Sequence, residues 1–208
     1  MKLSKKIVSL ILFAFIFAVV LMTAISKTFL INHFVILEID KANSGVSRIV
    51  KYIQSDIYEM DALATAYGQW NDTYNFANNY NSKYINDNYS DMASFKKLNT
   101  NFIIISDLNG NPIFKKTSNC TNDKQLSDYD IATLTKRLSA MKKYNNTNSI
   151  SGIYMTYTGP LMVVCEPIAD SLDTKPPNGM FILAKYLDKN EADLISSVIG
   201  MNFTIHNY

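Results

Sequence analysis

Nineteen consecutive residues near the N-terminus, IVSLILFAFIFAVVLMTAI at positions 7 to 25, contain no charged residue, no glycine and no proline. As a helix rising about 1.5 Å per residue, the run is roughly 28 Å long, close to the ~30 Å hydrocarbon core of a bilayer. A membrane helix over residues 7–26 is therefore expected, after a basic start at residues 1–6. Lys2, Lys5 and Lys6 should hold that start in the cytoplasm, which places residues 27–208 outside the cell and the chain in the cell membrane as a single-pass protein. Ala24 and Ser26 offer a loose cleavage site for a signal peptidase, but the apolar run exceeds a usual signal core of about 7–15 residues, which favours an uncleaved anchor. No cysteine follows the run closely, so a lipoprotein is not expected.

With three of the 20 basic residues ahead of the anchor, the exterior carries 17 against 18 acids, a net charge of −1. A nucleic-acid partner would need a basic face, and none is expected. Cys120 and Cys165 lie 45 residues apart in the exported part, where a disulfide is chemically permitted; two unrelated thiols, one of them in the core, is the favoured reading. His33 and His206 are far apart, and no Cys-x-x-Cys or His-x-x-x-His spacing exists, so no metal site and no cofactor is expected.

Beyond the membrane, Val46, Val50, Ile53, Ile57, Met60, Ala64 and Tyr67 recur at alternating steps of four and three, one stripe of a helix. A long membrane-proximal helix over 27–67 follows, with Gly45 as a local weak point. The stripe serves either as the seam of a homodimer through residues 46–67 or as the face that packs on its own domain.

Residues 71–101 are rich in Asn and Tyr and poor in aliphatics, and read as a short helix or two in a long connection. NFIIISDLNGNPIFKK (101–116) is a hairpin signal: a buried strand, a tight turn at Asn109-Gly110, and a return strand from Pro112. Ser127 is a candidate N-cap for a helix with Ile131, Leu134, Leu138 and Met141 on one face. Strands follow at 151–157, 161–169 and 179–187. Asp188 and Glu191 form a capping-box pair opening a helix that Gly200 stops, and FTIHN (203–207) is a candidate last strand. The expected class is α+β, an antiparallel sheet with helices on one side, because short turns between strands fit poorly with a parallel sheet.

No nucleophile stands in a Gly-x-Ser-x-Gly elbow, no glycine-rich phosphate loop occurs, and neither histidine has a catalytic setting, so no enzymatic activity is expected of these residues. Asp107-Leu-Asn-Gly110 has the start of a calcium loop without its acid spacing or terminal glutamate, and reads as a turn. The most distinctive stretch is YGQWNDTYNFANNY (67–80), with the chain's one tryptophan. It reads in two ways: a binding wall of Tyr67, Trp70 and Tyr74 with Asp72 as polar anchor, or a helix end with Trp70 in the core and Asp72 as cap.

The run YGQWNDTYNF, followed by KYINDNYS, FIIISDLNG and NPIFKK, resembles the fourth type of CHASE domain, an extracellular sensory module related to Cache and PAS-like sensors. Trp70, Asn71, Asp72, Tyr74, Tyr84, Ile85, Asn88, Asp107 and Gly110 fall on that family's pattern, over roughly residues 65–200. The resemblance implies a PAS/Cache-like sheet at 68–208 and a sensor for a small-molecule or protein signal. In the family such a domain sits between two membrane helices, ahead of a cytoplasmic diguanylate cyclase, phosphodiesterase or histidine kinase. This sequence stops at Tyr208 without a second span, which leaves either a fragment or a one-span receptor. The binding pocket is then either at Trp70–Tyr74 or elsewhere on the sheet at Tyr154 and Tyr157. A membrane-anchored structural or adhesive surface protein is the alternative.

Overall fold

The computed structural model describes residues 2–91, 93–118, 126–145, 149–172 and 174–205. The first helix, α1 (Lys2–Gly68), runs without a break through Gly45. One glycine costs a helix only about 1 kcal/mol, and 67 helical residues absorb it. Two compact units divide along this helix, Met1–Ile49 and Val50–Tyr208. In the first, Lys5–Lys27 has mean hydropathy 2.9 with none of it buried, a helix long and apolar enough to cross a membrane.

The second unit holds a five-stranded antiparallel sheet of β1 (Phe102–Ser106), β2 (Pro112–Thr117), β3 (Ile150–Thr156), β4 (Gly159–Ile168) and β5 (Gly179–Tyr186), in the order β2-β1-β5-β4-β3. Three short helices, α2 (Asn71–Asn78), α3 (Ser82–Tyr89) and α4 (Ala93–Lys97), lie between α1 and β1. Helix α5 (Asp128–Asn145) precedes β3, and α6 (Lys189–Ile199) follows β5.

Helices cover both faces of the sheet, which corrects the one-sided arrangement. Side chains alternate along each strand. Ile103, Ile105, Met162, Val164, Phe181 and Leu183 join Met60 and Ala64 of α1 in one core cluster, with Phe76, Tyr84 and Ile195. Phe102, Ile104, Val163, Cys165 and Ile182 join Ile131, Leu134 and Leu138 of α5 in the other. Every residue of β1 and β5 is buried. A strand covered on both sides needs an unbroken apolar run, and FIIIS and MFILA are such runs.

The α1 stripe splits in use. Met60 and Ala64 are fully buried on the chain's own sheet, Ile53 and Ile57 pack at its margin, and Val46 and Val50 remain exposed. Its lower part is thus core rather than a seam between copies.

Ser127 caps α5 as expected, in a reciprocal pair with Asp130: Asp130 N donates to Ser127 Oγ at 3.1 Å and Ser127 N to Asp130 Oδ2 at 3.1 Å. Met141 is exposed, not on the packed face. Asp188 caps α6 through Asn190 N and Glu191 N, and Gly200 closes it at φ +73°. Glu191 does not complete the expected box; its carboxylate binds Lys185. Residues 201–205 form no strand. The continuation of FTIHN lies outside the described residues.

Candidate functional site

Helix α1 ends at Gly68, where the backbone runs against the β4–β5 connection. A Cβ at Gly68 would stand 2.9 Å from the Pro167 carbonyl oxygen, so only glycine permits the approach, and the Gly68 carbonyl accepts Ala169 N at 3.1 Å. Tyr67 stacks on Phe181 of β5 at 6.0 Å between ring centres and meets Trp70 edge-on at 5.3 Å. Asn71 Oδ1 accepts Ser171 N at 3.1 Å. Tyr74 donates its hydroxyl to Pro176 O at 3.3 Å, its carbonyl accepts Asn178 Nδ2 at 2.8 Å, and Lys175 Nζ lies 5.3 Å from its ring centre. Asp170 folds the same connection by accepting from Thr174 N, Thr174 Oγ1 and Lys175 N. The segment 67–74 therefore hooks the end of α1 onto the β4–β5 connection.

Both details of the helix-end reading fail. Trp70 is 45% exposed rather than core, and it occupies the N-cap of α2 with no side-chain cap bond. Asp72 sits inside the first turn of α2. There it faces the helix N-terminus and stabilises it through the dipole, by about 0.3–1 kcal/mol.

Between α2 and α3 opens a cleft of about 580 Å³, within the usual range of small-molecule sites. Asp72, Asn75, Asn79, Tyr80, Lys83 and Asp87 are among its walls, with Phe76 and Tyr84 at its floor. The floor is closely packed: Phe76 stacks on Tyr84 at 4.7 Å, and a buried hydroxyl chain joins Thr73, Tyr84 and Tyr89 at 2.7 and 3.1 Å. Burial pushes the Tyr84 and Tyr89 hydroxyls above their ordinary range, so they stay neutral. Lys83 pairs with Asp87 and also feels the charge of Asp72, so two acids and one base leave this wall net negative.

Of the residues expected at the site, Tyr67, Trp70, Asn71, Asp72, Tyr74 and Tyr84 come together here. The others do not. Asp107 brackets the β1–β2 turn, accepting Asn109 N and Asn111 N on one oxygen, and the turn is longer than a two-residue loop. Tyr154 packs on the α5 face of the sheet, with Arg137 5.8 Å from its ring centre. Tyr157 is 98% exposed. Neither lines the α2–α3 cleft. Cys165 is a free, buried thiol pushed up to about 12 by burial; Cys120 lies outside the described residues.

Buried charges are what sequence reasoning missed. Lys185 of β5 and Glu166 of β4 face α1, where Asp56 and Asp61 meet them. A charged residue inside each apolar strand, LMVVCEPIA and MFILAKYL, was the available signal.

Comparison with known proteins locates this architecture. The family profile described as CHASE4 domain matches residues 52–206. The methanogenesis regulatory histidine kinase FilI of Methanothrix harundinacea is 27% identical over 152 residues, covering 73% of this chain and 17% of that protein. The chain thus spans about a sixth of that relative's length. Among solved structures, the periplasmic domain of Vibrio cholerae LuxQ shares the fold at a TM-score of 0.54 and 10% identity, over 76% of this chain and 70% of that one. A domain described as that of a sensory box/GGDEF family protein from Vibrio parahaemolyticus does so at 0.53 and 10%, over 76% and 63%.

Proposed function

The chain belongs to the CHASE4 domain family, a sensory rather than catalytic family, and from that premise we propose that it is the extracytoplasmic input of a membrane-anchored signal-transduction protein with a histidine kinase output. The kinase relative supports the choice of output, and the match to a GGDEF-type protein's domain supports a diguanylate cyclase as the second reading. The apolar helix Lys5–Lys27 is the anchor, and residues 27–208 face outside.

One observation carries the reading: the family's most specific segment joins α1 to the sheet on one side and lines the α2–α3 cleft on the other. A ligand that orders the cleft would bias α2, and through Asn71 and Tyr74 the end of α1. The cleft's lining is net negative, so the signal is a neutral or cationic polar molecule rather than a carboxylate.

Asp72→Ala is expected to change stability by less than about 1 kcal/mol, because Asp72 is exposed and acts through the helix dipole and a solvent-screened attraction to Lys83. The same variant should abolish thermal stabilisation by the active compound in a screen of amines, amino acids and carboxylates on the full chain in detergent. An Asp72→Ala chain that unfolds, or that keeps the stabilisation, removes the cleft from the proposal. A structural or adhesive surface protein would show no compound-dependent shift at all.

The exposed Val46 and Val50 are the part of the stripe left for a homodimer. A cysteine at Ser47 is expected to crosslink two copies in native membranes under mild oxidation; monomers alone would remove the seam.

A further inference from the structure

Two acids five residues apart on α1 meet the sheet in the same manner with opposite chemistry. Asp56 meets Lys185 of β5, acid against base, with Lys185 Nζ donating to Asp56 Oδ2 at 2.8 Å. Asp61 meets Glu166 of β4, carboxyl against carboxyl within hydrogen-bonding reach. Glu166 is only 7% exposed, and one oxygen of each residue, Asp61 Oδ1 and Glu166 Oε1, finds no partner among the described residues. Two ionised carboxylates cannot rest against each other out of water without a large cost. One proton turns the repulsion into a charge-assisted O–H···O⁻ bond, among the stronger hydrogen bonds available to a protein.

We propose that Asp61 and Glu166 form a proton-binding clasp between α1 and β4, closed while the pair holds one proton and forced apart when it holds none, so that pH outside the cell is an input of this domain. The clasp is a property of these residues alone; its use as a signal rests on the sensory reading above.

The surroundings tune the site toward neutrality. Burial first, then the charge of Asp61 and the hydrogen bond to it, push the Glu166 carboxyl up to about 7. From α1, Thr65 also offers a hydrogen bond, and from α5 the charge of Lys142 pulls the other way. The neighbour on β5 is Phe181, which does not titrate, and the adjacent Cys165 thiol stays neutral. A carboxyl whose folded value lies above its ordinary 4.5 supports folding most fully below that value. Its support falls as pH rises from about 4.5 to about 7, and the penalty is complete above that. The affected element is the turn of α1 around Asp61, which would loosen from β4 as the environment becomes alkaline.

The test is a titration of the full chain in detergent micelles, followed by the infrared carbonyl band of a protonated carboxyl and by amide hydrogen exchange over residues 57–65. The expected result is a band titrating near 7, absent in Glu166→Gln, and moved down by about one pH unit or more in Asp61→Asn, where the like charge is gone. Once corrected for intrinsic rates, exchange over 57–65 should quicken with rising pH in the native chain and stay slow throughout in Glu166→Gln. A native chain without the band at about pH 6, a midpoint unmoved by Asp61→Asn, or an exchange profile that Glu166→Gln shares would each overturn the clasp. If Glu166→Gln does not fold, the native titration and the Asp61→Asn midpoint decide alone. None of these readouts depends on the α2–α3 cleft or on the output domain, so failure here is distinct from failure of the sensory reading.

Discussion

Replacing Lys185 with methionine is expected to lower the unfolding free energy by about 3–5 kcal/mol, since it removes the cation of a buried cluster and leaves its acids behind. Lys185 Nζ donates to Asp56 Oδ2 at 2.8 Å and to Glu191 Oε1 at 2.9 Å, and the three side chains are 10%, 7% and 8% exposed. Asp56 is further held by Asn99 Nδ2 at 2.9 Å. The cluster thus ties α1, β5 and α6 together at one point. Burial works against the ammonium, but its bonds to Asp56 and Glu191 outweigh that, and Lys185 is held above its ordinary 10.5. Its support is present below that value and is lost only as pH rises through the folded value. Burial likewise raises the Glu191 carboxyl.

Without Lys185, Asp56 and Glu191 face each other with no counter-charge, and both must take up protons or leave the core. Acidification toward the ordinary carboxyl range should therefore return part of the lost stability to Lys185→Met. The triple replacement Asp56→Asn, Lys185→Met, Glu191→Gln should recover most of it at neutral pH, because no buried charge is left and Asn99 can still donate to the amide at position 56. Urea unfolding of the full chain at several pH values reads both effects. A Lys185→Met variant within about 0.5 kcal/mol of the native chain would mean that water reaches the cluster.

Much of the fold is legible in the sequence because local signals there agree with tertiary ones. The charge-free run at 7–25 can only be a long helix, Ser127 and Asp188 sit at helix starts where orphan N–H groups need acceptors, and Gly200 stands where the chain turns left-handed. What stays hidden depends on what is brought from far away in the chain. The unbroken run FIIIS marks a strand covered on both faces, but that α5 supplies the second cover shows only when the chain is folded. Trp70 has the composition of a core residue, yet the room beneath it is filled by Tyr67 stacking on Phe181. Asp107 and Asp72 match one family pattern, but one closes a turn and the other lines a cleft, and spacing alone does not separate those roles. Asp56 and Asp61 of α1 flank its apolar stripe as solvated residues would, and only their partners on β5 and β4 identify them.

Gly110→Ala is expected to cost about 2–4 kcal/mol, the sum of a left-handed backbone imposed on an L-residue and a collision with α5. Gly110 has φ +77°, and a Cβ there would lie 2.6 Å from the Thr135 carbonyl oxygen and 2.8 Å from Lys136 Cα. These are backbone atoms of a helix interior, so no side-chain rotation relieves the contact. The closeness is used: Thr135 Oγ1 donates to Gly110 O at 2.7 Å and Ser139 Oγ to Leu108 O at 2.6 Å, latching the β1–β2 turn to α5. Thr135→Ala, which removes one buried hydrogen bond and adds no atoms, should cost only about 1 kcal/mol. The ratio of the two losses in urea unfolding therefore separates steric exclusion from the loss of the latch. Equal losses would mean that the hydrogen bond, and not the missing Cβ, is why glycine stands at this position. In either variant the amides of β2 should exchange faster than those of β3, since the latch secures the β1–β2 edge of the sheet and β3 lies at the other edge.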